Sequence, residues 1–149
     1  MEKCVLCNTT DSTEVVYRSA KWRVLLVDDD SWPGFCRVVL NGHVAEMTDL
    51  DYRQRTALMD VVWIVEQVVR EVMQPDKVNL ASLGNMVPHL HWHIIPRYRD
   101  DMTFPDAIWA PQKRVVLPDV LDARKKRLSE LRHRLADRLI LQFGESLTE

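Results

Sequence analysis

Three of the chain's five histidines stand at alternate positions in the stretch Val87-Pro88-His89-Leu90-His91-Trp92-His93-Ile94-Ile95-Pro96-Arg97. Successive side chains of a β-strand point to opposite faces, so a strand here places His89, His91 and His93 on one face, about 6.6 Å apart. The β-branched and aromatic residues, with prolines at both ends, favour a strand over a helix. Three imidazoles on one face need partners for every ring nitrogen, which makes their burial costly without a purpose. We therefore predict that this strand carries the functional site.

Length and composition limit the class of protein. A chain of 149 residues with 46% hydrophobic residues predicts one compact domain over residues 1–149. The net charge of −2 argues against broad nucleic-acid binding but allows a small anionic ligand held by local donors. The start Met1-Glu2-Lys3-Cys4 lacks the apolar core of a signal peptide, and no run is long enough to span a membrane. We expect a cytoplasmic protein that binds neither nucleic acid nor membranes.

The patterns on either side of the histidine strand predict an α+β fold with about five strands in an antiparallel sheet. The other predicted strands cover residues 14–18, 21–27, 35–40 and 77–83. Thr48-Asp49-Leu50-Asp51 offers an N-cap for one long helix that ends before Pro75. A C-terminal helix is predicted from Asp119 to Phe143, with Gly144 at its stop. The core of the domain is expected at about residues 4–111, ending in an irregular segment from Arg97 to Pro111.

Apolar residues at helical spacing define the expected inward faces of both helices. They are Leu50, Ala57, Leu58, Val61, Val65, Val68 and Val72 in the first, and Leu121, Leu128, Leu131, Leu135 and Leu139 in the second. The basic run Arg124-Lys125-Lys126-Arg127 is interpreted as a solvated helix face rather than a nucleic-acid site.

The cysteines indicate a reducing compartment. Three is an odd number, and two of them form the pair Cys4-Val5-Leu6-Cys7, a pattern that suits a metal or thiol role better than a disulfide framework. Two thiolates at this spacing can grip one metal ion from a tight turn, but the pair can equally be two reduced thiols. A redox function would need a strand before the pair and a helix after it, and neither is evident.

The segment His89-Leu90-His91-Trp92-His93-Ile94-Ile95 resembles the H-φ-H-φ-H-φ-φ signature (φ, apolar) of the histidine triad family of nucleotide-binding hydrolases and transferases. The resemblance extends from about Cys4 to Arg99. It implies a HIT-like fold, a small-molecule nucleotide substrate and a homodimer that continues one sheet into the next. It implies no cofactor for the chemistry.

The resemblance also implies a reaction. Family members cleave a phosphoanhydride or phosphoramidate at the α-phosphorus of a dinucleoside polyphosphate or nucleotide conjugate, through a covalent nucleotidyl-histidine intermediate. His91 matches the nucleophile, and a neutral imidazole nitrogen suits that task near pH 7. His93 matches the residue that donates to the phosphoryl or bridging oxygen. The backbone at His89 is expected to fix the tautomer of His91.

Five further residues are nucleotide-binding candidates through the same resemblance. Asp28 matches the family residue at the ribose hydroxyls, and Asn79 and Asn85 match polar residues beside the nucleotide and its phosphates. Backbone N–H groups around Gly84 can approach phosphate oxygens closely, because glycine has no side chain. Trp109 is similar to an aromatic residue that some members place near a neighbouring subunit's site. The alternative for both asparagines is a role in bonding the turns.

One departure from the family pattern keeps other functions open. Many members have a histidine directly after the Pro-Gly turn, whereas this chain has Pro33-Gly34-Phe35. A purine-nucleotide-binding module with little turnover is therefore the first alternative. A hydrolase with a catalytic metal on the histidine strand is the second, since strand histidines are good zinc ligands.

A structural zinc ion is the last expectation, with Cys4, Cys7, His43 and His89 as ligands. Two thiolates and two imidazoles match a closed tetrahedral site. Some histidine triad proteins carry such a site, with an N-terminal C-x-x-C, a histidine after the third strand and the first triad histidine. The site would tether the N-terminus to the catalytic strand. It would leave His91 and His93 free for chemistry.

Overall fold

The computed structural model describes residues 4–8 and 15–148. Its strands are β1 (Val15–Arg18), β2 (Trp22–Leu26), β3 (Cys36–Leu40), β4 (Lys77–Ala81) and β5 (His91–Arg97). Its helices are α1 (Val5–Asn8), α2 (Tyr52–Met73), α3 (Pro118–Lys125) and α4 (Leu128–Phe143). The strands form one antiparallel sheet in the order β1-β2-β3-β5-β4, so the predicted α+β fold with a five-stranded antiparallel sheet is confirmed. The predicted start of the first strand at Glu14 lies outside the described residues.

The two faces of the sheet have different partners. One face packs against α2 and α4, and its side chains Val24, Val38 and Ile94 are fully buried in the main core. The opposite face carries His91 and His93, because strand alternation turns them away from Ile94. The sheet thus separates a packed side from a side that holds the candidate site.

Helix α2 supplies most of the packed side. It begins at a capping box in which the Asp51 carboxylate accepts the Gln54 N–H at 2.8 Å and the Gln54 side chain accepts the Asp51 N–H at 3.0 Å. The predicted stripe is confirmed at Leu50, Leu58, Val61, Val65, Val68 and Val72, all buried. The prediction that Ala57 points inward is wrong, because Ala57 is exposed at the rim of a cavity that Leu40 and Val44 also line.

The predicted C-terminal helix is two helices, α3 and α4, with a break at Lys126 and Arg127. At this break, where Lys126 and Arg127 keep helical dihedrals, the Arg127 guanidinium donates to the carbonyls of Val72 and Met73, two of the acceptors that the end of α2 leaves unsatisfied. Buried residues lie only in the second part, at Leu131, Leu135 and Leu139, whereas Leu121 and Leu128 are partly exposed.

The basic run at this break has structural partners, so its interpretation as a solvated face is wrong in part. Arg124 pairs with Asp100 at 2.5 Å and stacks on Tyr98, with its guanidinium carbon 3.6 Å from the ring centroid. Lys125 pairs with Asp30 at 2.7 Å. The run therefore ties the C-terminal helices to two loops.

The chain's last described residues cover the β1 edge of the sheet. The Leu147 N–H donates to the Arg18 carbonyl at 2.9 Å, and the Arg18 N–H donates to Ser146 Oγ at 3.0 Å. The Tyr17 hydroxyl donates to the Gly144 carbonyl at 2.8 Å. Strand β4 forms the other edge.

Residues 98–117 contain neither helix nor strand, as predicted for Arg97 to Pro111, although Arg97 itself ends β5. The Arg97 guanidinium, 2% exposed, holds this segment. Its Nε and Nη2 donate to the two oxygens of Asp101 at 2.7 and 3.1 Å, and Nη2 also donates to the Asp106 carbonyl at 2.7 Å. Nη1 donates to Asn79 Oδ1 at 2.7 Å. One buried cation thus joins the loop to β4 and β5.

Gly34, in the turn before β3, is required by both its backbone and its surroundings. Its φ is +93°, and a Cβ there would lie 2.9 Å from Met73 Cγ. We expect Gly34→Ala to lower the free energy of unfolding by about 1–3 kcal/mol. Urea unfolding followed by circular dichroism measures this. Gly42→Ala is the control, because nothing lies within 4 Å of its Cβ position; equal effects at the two glycines would contradict the explanation.

Candidate active site and metal cluster

His91 opens β5 with one ring nitrogen engaged. Its Nδ1 lies 2.6 Å from the His89 carbonyl oxygen. A carbonyl only accepts, so Nδ1 carries the proton and Nε2 keeps its lone pair. The Ser82 hydroxyl donates to the His91 carbonyl at 2.9 Å and fixes the backbone on the β4 side. The ring is therefore held in the tautomer that a nucleophile needs at Nε2.

His93 follows on the same face. The centroids of the His91 and His93 rings are 4.9 Å apart at an interplanar angle of 74°. Burial, with the charges of His91 and Arg37, lowers the pKa of His93 to about 4. The ring is neutral near pH 7 and offers one donor and one acceptor. Within the described part of the chain, its buried Nδ1 has no hydrogen-bond partner.

His89 lies outside the strand, which corrects the prediction of three histidines on one strand face. The strand begins two residues later, and His89 is completely buried in the turn before it. Its Nε2 lies 2.5 Å from the Leu40 carbonyl, so the proton is on Nε2 and the Nδ1 lone pair points elsewhere. Burial is the main cause of its lowered pKa.

The four predicted metal ligands are brought together. One ligand atom from each of Cys4, Cys7, His43 and His89 lies within 4.8 Å of the others. The His89 Nδ1 is 3.4 Å from each sulfur and 3.2 Å from His43 Nδ1, and Cys7 Sγ is 3.3 Å from His43 Nδ1. Ligands around a tetrahedral zinc ion are about 3.3–3.8 Å apart. The donor set and its spacing fit zinc.

Helix α1 positions the two cysteines against the sheet. Its Leu6 is buried against Leu25 and Val39, on the histidine face. The guanidinium of Arg23 donates to the Leu6 carbonyl at 2.5 Å. Burial and the neighbouring Cys4 raise the pKa of the Cys7 thiol, whereas reactive redox cysteines have lowered values. The approach of His43 and His89 to the two sulfurs favours the metal alternative over the redox one.

The three acidic residues after β2, Asp28-Asp29-Asp30, have different surroundings. Asp29 Oδ1 accepts the N–H groups of Ser31 and Trp32 at 2.8 and 3.1 Å, which forms the turn. Asp30 pairs with Lys125. Asp28, the ribose candidate, is exposed at the end of β2.

The other nucleotide candidates are spread along the β4 side. Asn79 lies on β4 and accepts from Arg97, so its amide NH₂ is the end left for a ligand. Asn85 is exposed in the loop before His89, and Gly84 has a φ of +78°. Trp109, 60% exposed, lines a groove with Lys77, Asn79 and Ala81 at the edge of the sheet. Trp109 is thus beside β4, one strand outward from His93.

Sequence reasoning missed Arg37 on β3. It pairs with His93 in the β3–β5 register, so both side chains lie on the same face. Its guanidinium carbon is 5.2 Å from the Phe35 ring centroid, and that ring lies 5.4 Å from the His93 ring. The sequence signal that could have identified Arg37 is its alternation with Phe35 in the predicted strand 35–40, which lies next to the histidine strand in the structure.

The HIT domain family model matches residues 8–100, which is more than half of the chain. The chain therefore belongs to the HIT domain family, and the resemblance in its histidine strand is confirmed. Among solved structures, it is similar to a histidine triad protein from Bradyrhizobium japonicum, with a TM-score of 0.66 and 28% identity over 82% of this chain and 91% of that one. Another similar structure, from Marinobacter aquaeolei VT8, has a TM-score of 0.63 and 31% identity over 83% of this chain and 92% of that one.

Curated relatives give names with an activity. The chain is 31% identical over 83 residues to a bis(5'-nucleosyl)-tetraphosphatase (asymmetrical) from Schizosaccharomyces pombe, covering 52% of this chain and 46% of that protein. It is 29% identical over 100 residues to an AP-4-A phosphorylase from Mycobacterium tuberculosis, covering 62% of this chain and 50% of that protein. The chain spans about half the length of these relatives. Among the residues that the structure describes, no helix is long and apolar enough to cross a membrane.

Proposed function

We propose that the protein is a nucleotidyl hydrolase that cleaves a dinucleoside polyphosphate or a related nucleotide conjugate at the α-phosphorus. The observation that carries this proposal is the His91 ring, whose Nδ1–H is held by the His89 carbonyl and whose Nε2 lone pair remains for attack. Membership in the HIT domain family and the names of the curated relatives support the substrate class.

The reaction has two steps. His91 Nε2 attacks the α-phosphorus, an N–P bond forms, and the bond from phosphorus to the leaving group breaks. Water then attacks the nucleotidyl-histidine and releases the nucleotide, which returns the lone pair to Nε2. His93 donates its N–H to a phosphoryl or bridging oxygen, where charge develops. Asp28 binds the ribose, while Asn79, Asn85, the backbone of Gly84 and the ring of Trp109 contact the rest of the nucleotide.

The direct test is a panel of adenylated and guanylated compounds, with mass spectrometry of the intact protein after a rapid acid quench. We expect a transient increase in mass equal to one nucleotidyl group, mapped to the peptide that contains His91. Binding without turnover or adduct would favour the binding-module alternative. A catalytic metal on the strand is disfavoured, since both nitrogens of His89 are directed elsewhere, and among the described residues the one possible metal-ligand group is the Cys4, Cys7, His43 and His89 cluster.

A structural zinc ion at the Cys4, Cys7, His43 and His89 cluster is proposed alongside this function. Bound there, zinc supplies a crosslink between α1, the end of β3 and the turn before β5, and takes no part in the reaction. The Nε2–H bond from His89 to the Leu40 carbonyl supports this, because metal-bound histidines commonly anchor their second nitrogen in this way.

The zinc prediction is tested with Cys4→Ser. We expect the wild type, purified without added metal, to contain about one zinc per chain, and the variant to lose it and to unfold at least about 5 °C lower. Elemental analysis and a thermal melt measure both. Cys36→Ala is the matched control, because Cys36 is buried away from the cluster and its loss should leave the zinc content unchanged. Zinc-free wild type, or a Cys4→Ser variant with full zinc content, would remove the proposal.

A homodimer through the β4 edge is the third part of the proposal. Strand β4 ends the sheet, and apolar surface is exposed by Leu80 on that strand and by Trp109 beside it. In a two-fold dimer, Trp109 lies where it can approach the partner's nucleotide site.

Light scattering at micromolar concentration should report about twice the mass of the chain. Leu80→Glu places a charge on β4, where Leu80 is 37% exposed, and should shift the protein toward monomer. Leu141→Glu is the control, since Leu141 is 85% exposed on α4, away from β4. A wild-type monomer would contradict the proposal.

A further inference from the structure

We propose that Arg37 binds the polyphosphate of the substrate, and that its charge makes the site select substrates whose leaving group is itself a phosphate. Conjugates with an uncharged leaving group, such as simple phosphoramidates, would be turned over less efficiently. This inference rests on the proposed function and narrows its substrate class.

The strand register places Arg37 at the reaction site. Directly opposed residues on antiparallel strands have Cβ atoms about 4.5–5.5 Å apart and side chains on the same face. Arg37 stands opposite His93, and Val39 stands opposite His91. The cation therefore shares its face with both histidines, one strand away, and a phosphate held between the two rings lies within reach of its long side chain.

Phe35 holds the guanidinium there. The ring is 4% exposed, contacts His93 at a centroid distance of 5.4 Å and lies 5.2 Å from the guanidinium carbon. A cation over an aromatic face is attracted by the ring and loses freedom before any ligand arrives. Arg37 itself is half-buried, which strengthens its electrostatic effect relative to a fully solvated arginine. The residue after the Pro-Gly turn thus positions a cation instead of supplying an imidazole.

A phosphate bound at this site is stabilised by a positive charge, and His93 does not supply one. That ring is neutral near pH 7, with a pKa of about 4, and Arg37 is one of the charges that lower it. Arg37 carries a permanent positive charge on the strand opposite His93, and a guanidinium can bind phosphate oxygens through two parallel N–H bonds.

Selectivity follows from the number of charges on the substrate. Each bridging phosphate adds about one negative charge beyond the α-phosphate, whereas an amine or alcohol leaving group adds none. A cation at the site therefore favours polyphosphates over conjugates whose leaving group is uncharged, even when the two substrates contain the same nucleotide. Charge-assisted hydrogen bonds of about 1.5–3 kcal/mol predict about a tenfold or larger preference.

The test compares kcat/KM for diadenosine tetraphosphate with kcat/KM for adenosine 5'-phosphoramidate. In Arg37→Met, which keeps the side-chain length and removes the charge, we expect the ratio to fall by about tenfold or more. Arg37→Lys should recover part of it, since it keeps the charge and loses the two-pronged geometry. Arg53→Met, an exposed arginine on α2, is the matched control and should leave the ratio unchanged.

A measurement on the wild type keeps the inference testable if the Arg37 variants fold poorly. In the wild type, raising the salt concentration should weaken kcat/KM more steeply for the tetraphosphate than for the phosphoramidate. By NMR, the pKa of His93 should rise in Arg37→Met, because the charge of Arg37 is one of the causes that lower it. Equal losses for both substrates in Arg37→Met, or an unchanged ratio, would overturn the selectivity.

A failure of the proposed function would give a different result from a failure of the Arg37 inference. A wild type that neither turns over these compounds nor binds their non-hydrolysable methylene analogues by calorimetry would remove the nucleotide function, and the inference with it. A wild type that hydrolyses both compounds with the same salt dependence would keep the function and overturn only the role of Arg37.

Discussion

We expect the His91→Ala variant to lose roughly 10⁴- to 10⁶-fold in kcat, because the nucleophile and with it the covalent route are removed. Nucleotide affinity should change little, since the phosphate and ribose contacts belong to other residues. Single-turnover kinetics and calorimetry measure the two quantities separately. The expected pattern is a protein that binds its substrate and forms no nucleotidyl adduct.

His133→Ala is the control for this variant. His133 is an exposed histidine on α4, with Nδ1 2.8 Å from the Ser129 carbonyl, and its loss should leave turnover unchanged. A His91→Ala enzyme that keeps more than about a tenth of wild-type kcat would mean that His91 forms no required covalent intermediate. Loss of binding together with turnover would instead indicate a collapsed site, which a urea-unfolding comparison detects.

The largest loss of stability is expected from Asp101→Asn. Asp101 is 1% exposed and accepts from Nε and Nη2 of Arg97, and its oxygens also accept the backbone N–H groups of Tyr98, Thr103 and Phe104. Removing the carboxylate leaves the buried Arg97 charge without its counter-ion, which costs about 3–5 kcal/mol. Urea unfolding measures the loss. Asp106→Asn is the control, because its carboxylate pairs with Lys113 while both side chains are more than 40% exposed.

The same pair predicts an acid dependence. Burial alone would raise the pKa of Asp101, but the hydrogen bonds from Arg97 and from the backbone hold it below the ordinary value of 3.8. The stability that it contributes is therefore complete above about pH 4 and is lost as the pH falls through the lower folded-state pKa. Asp101→Asn should lack this part of the acid dependence, and a difference that persists unchanged to pH 2 would contradict the assignment.

Much of the fold was predictable because local patterns and tertiary packing agree. The alternation in the strands and the valine stripe of α2 each specify one type of element, and these elements form where the pattern indicates, although the cap of α2 is Asp51, the last residue of the predicted Thr48–Asp51 run. The four-residue Cys and His cluster was found only through the family resemblance. Nothing in the spacing between Cys7 and His43 determines that they meet at 3.3 Å.

The features that the sequence did not predict depend on long-range contacts. His89 leaves the strand face because the Leu40 carbonyl and the cysteines bind its ring. The C-terminal helix is interrupted at Arg127, whose guanidinium binds the end of α2, some 55 residues earlier in the chain. Arg37 acquires its importance only through the register with His93. Helical or strand periodicity contains no information on which distant residue lies opposite.

The segment that covers β1 also limits how far the protein can assemble. A sheet with two open edges can add a copy at each end and grow without stopping, which is the route to a filament. In the part of the chain that the structure describes, Ser146 and Leu147 occupy the β1 side, so the proposed dimer uses β4 as the edge at which another copy adds. Two copies that meet edge to edge around a two-fold axis use up both β4 strands, and growth ends there. Removing the last few residues should therefore raise the tendency to form fibres rather than merely weaken the fold.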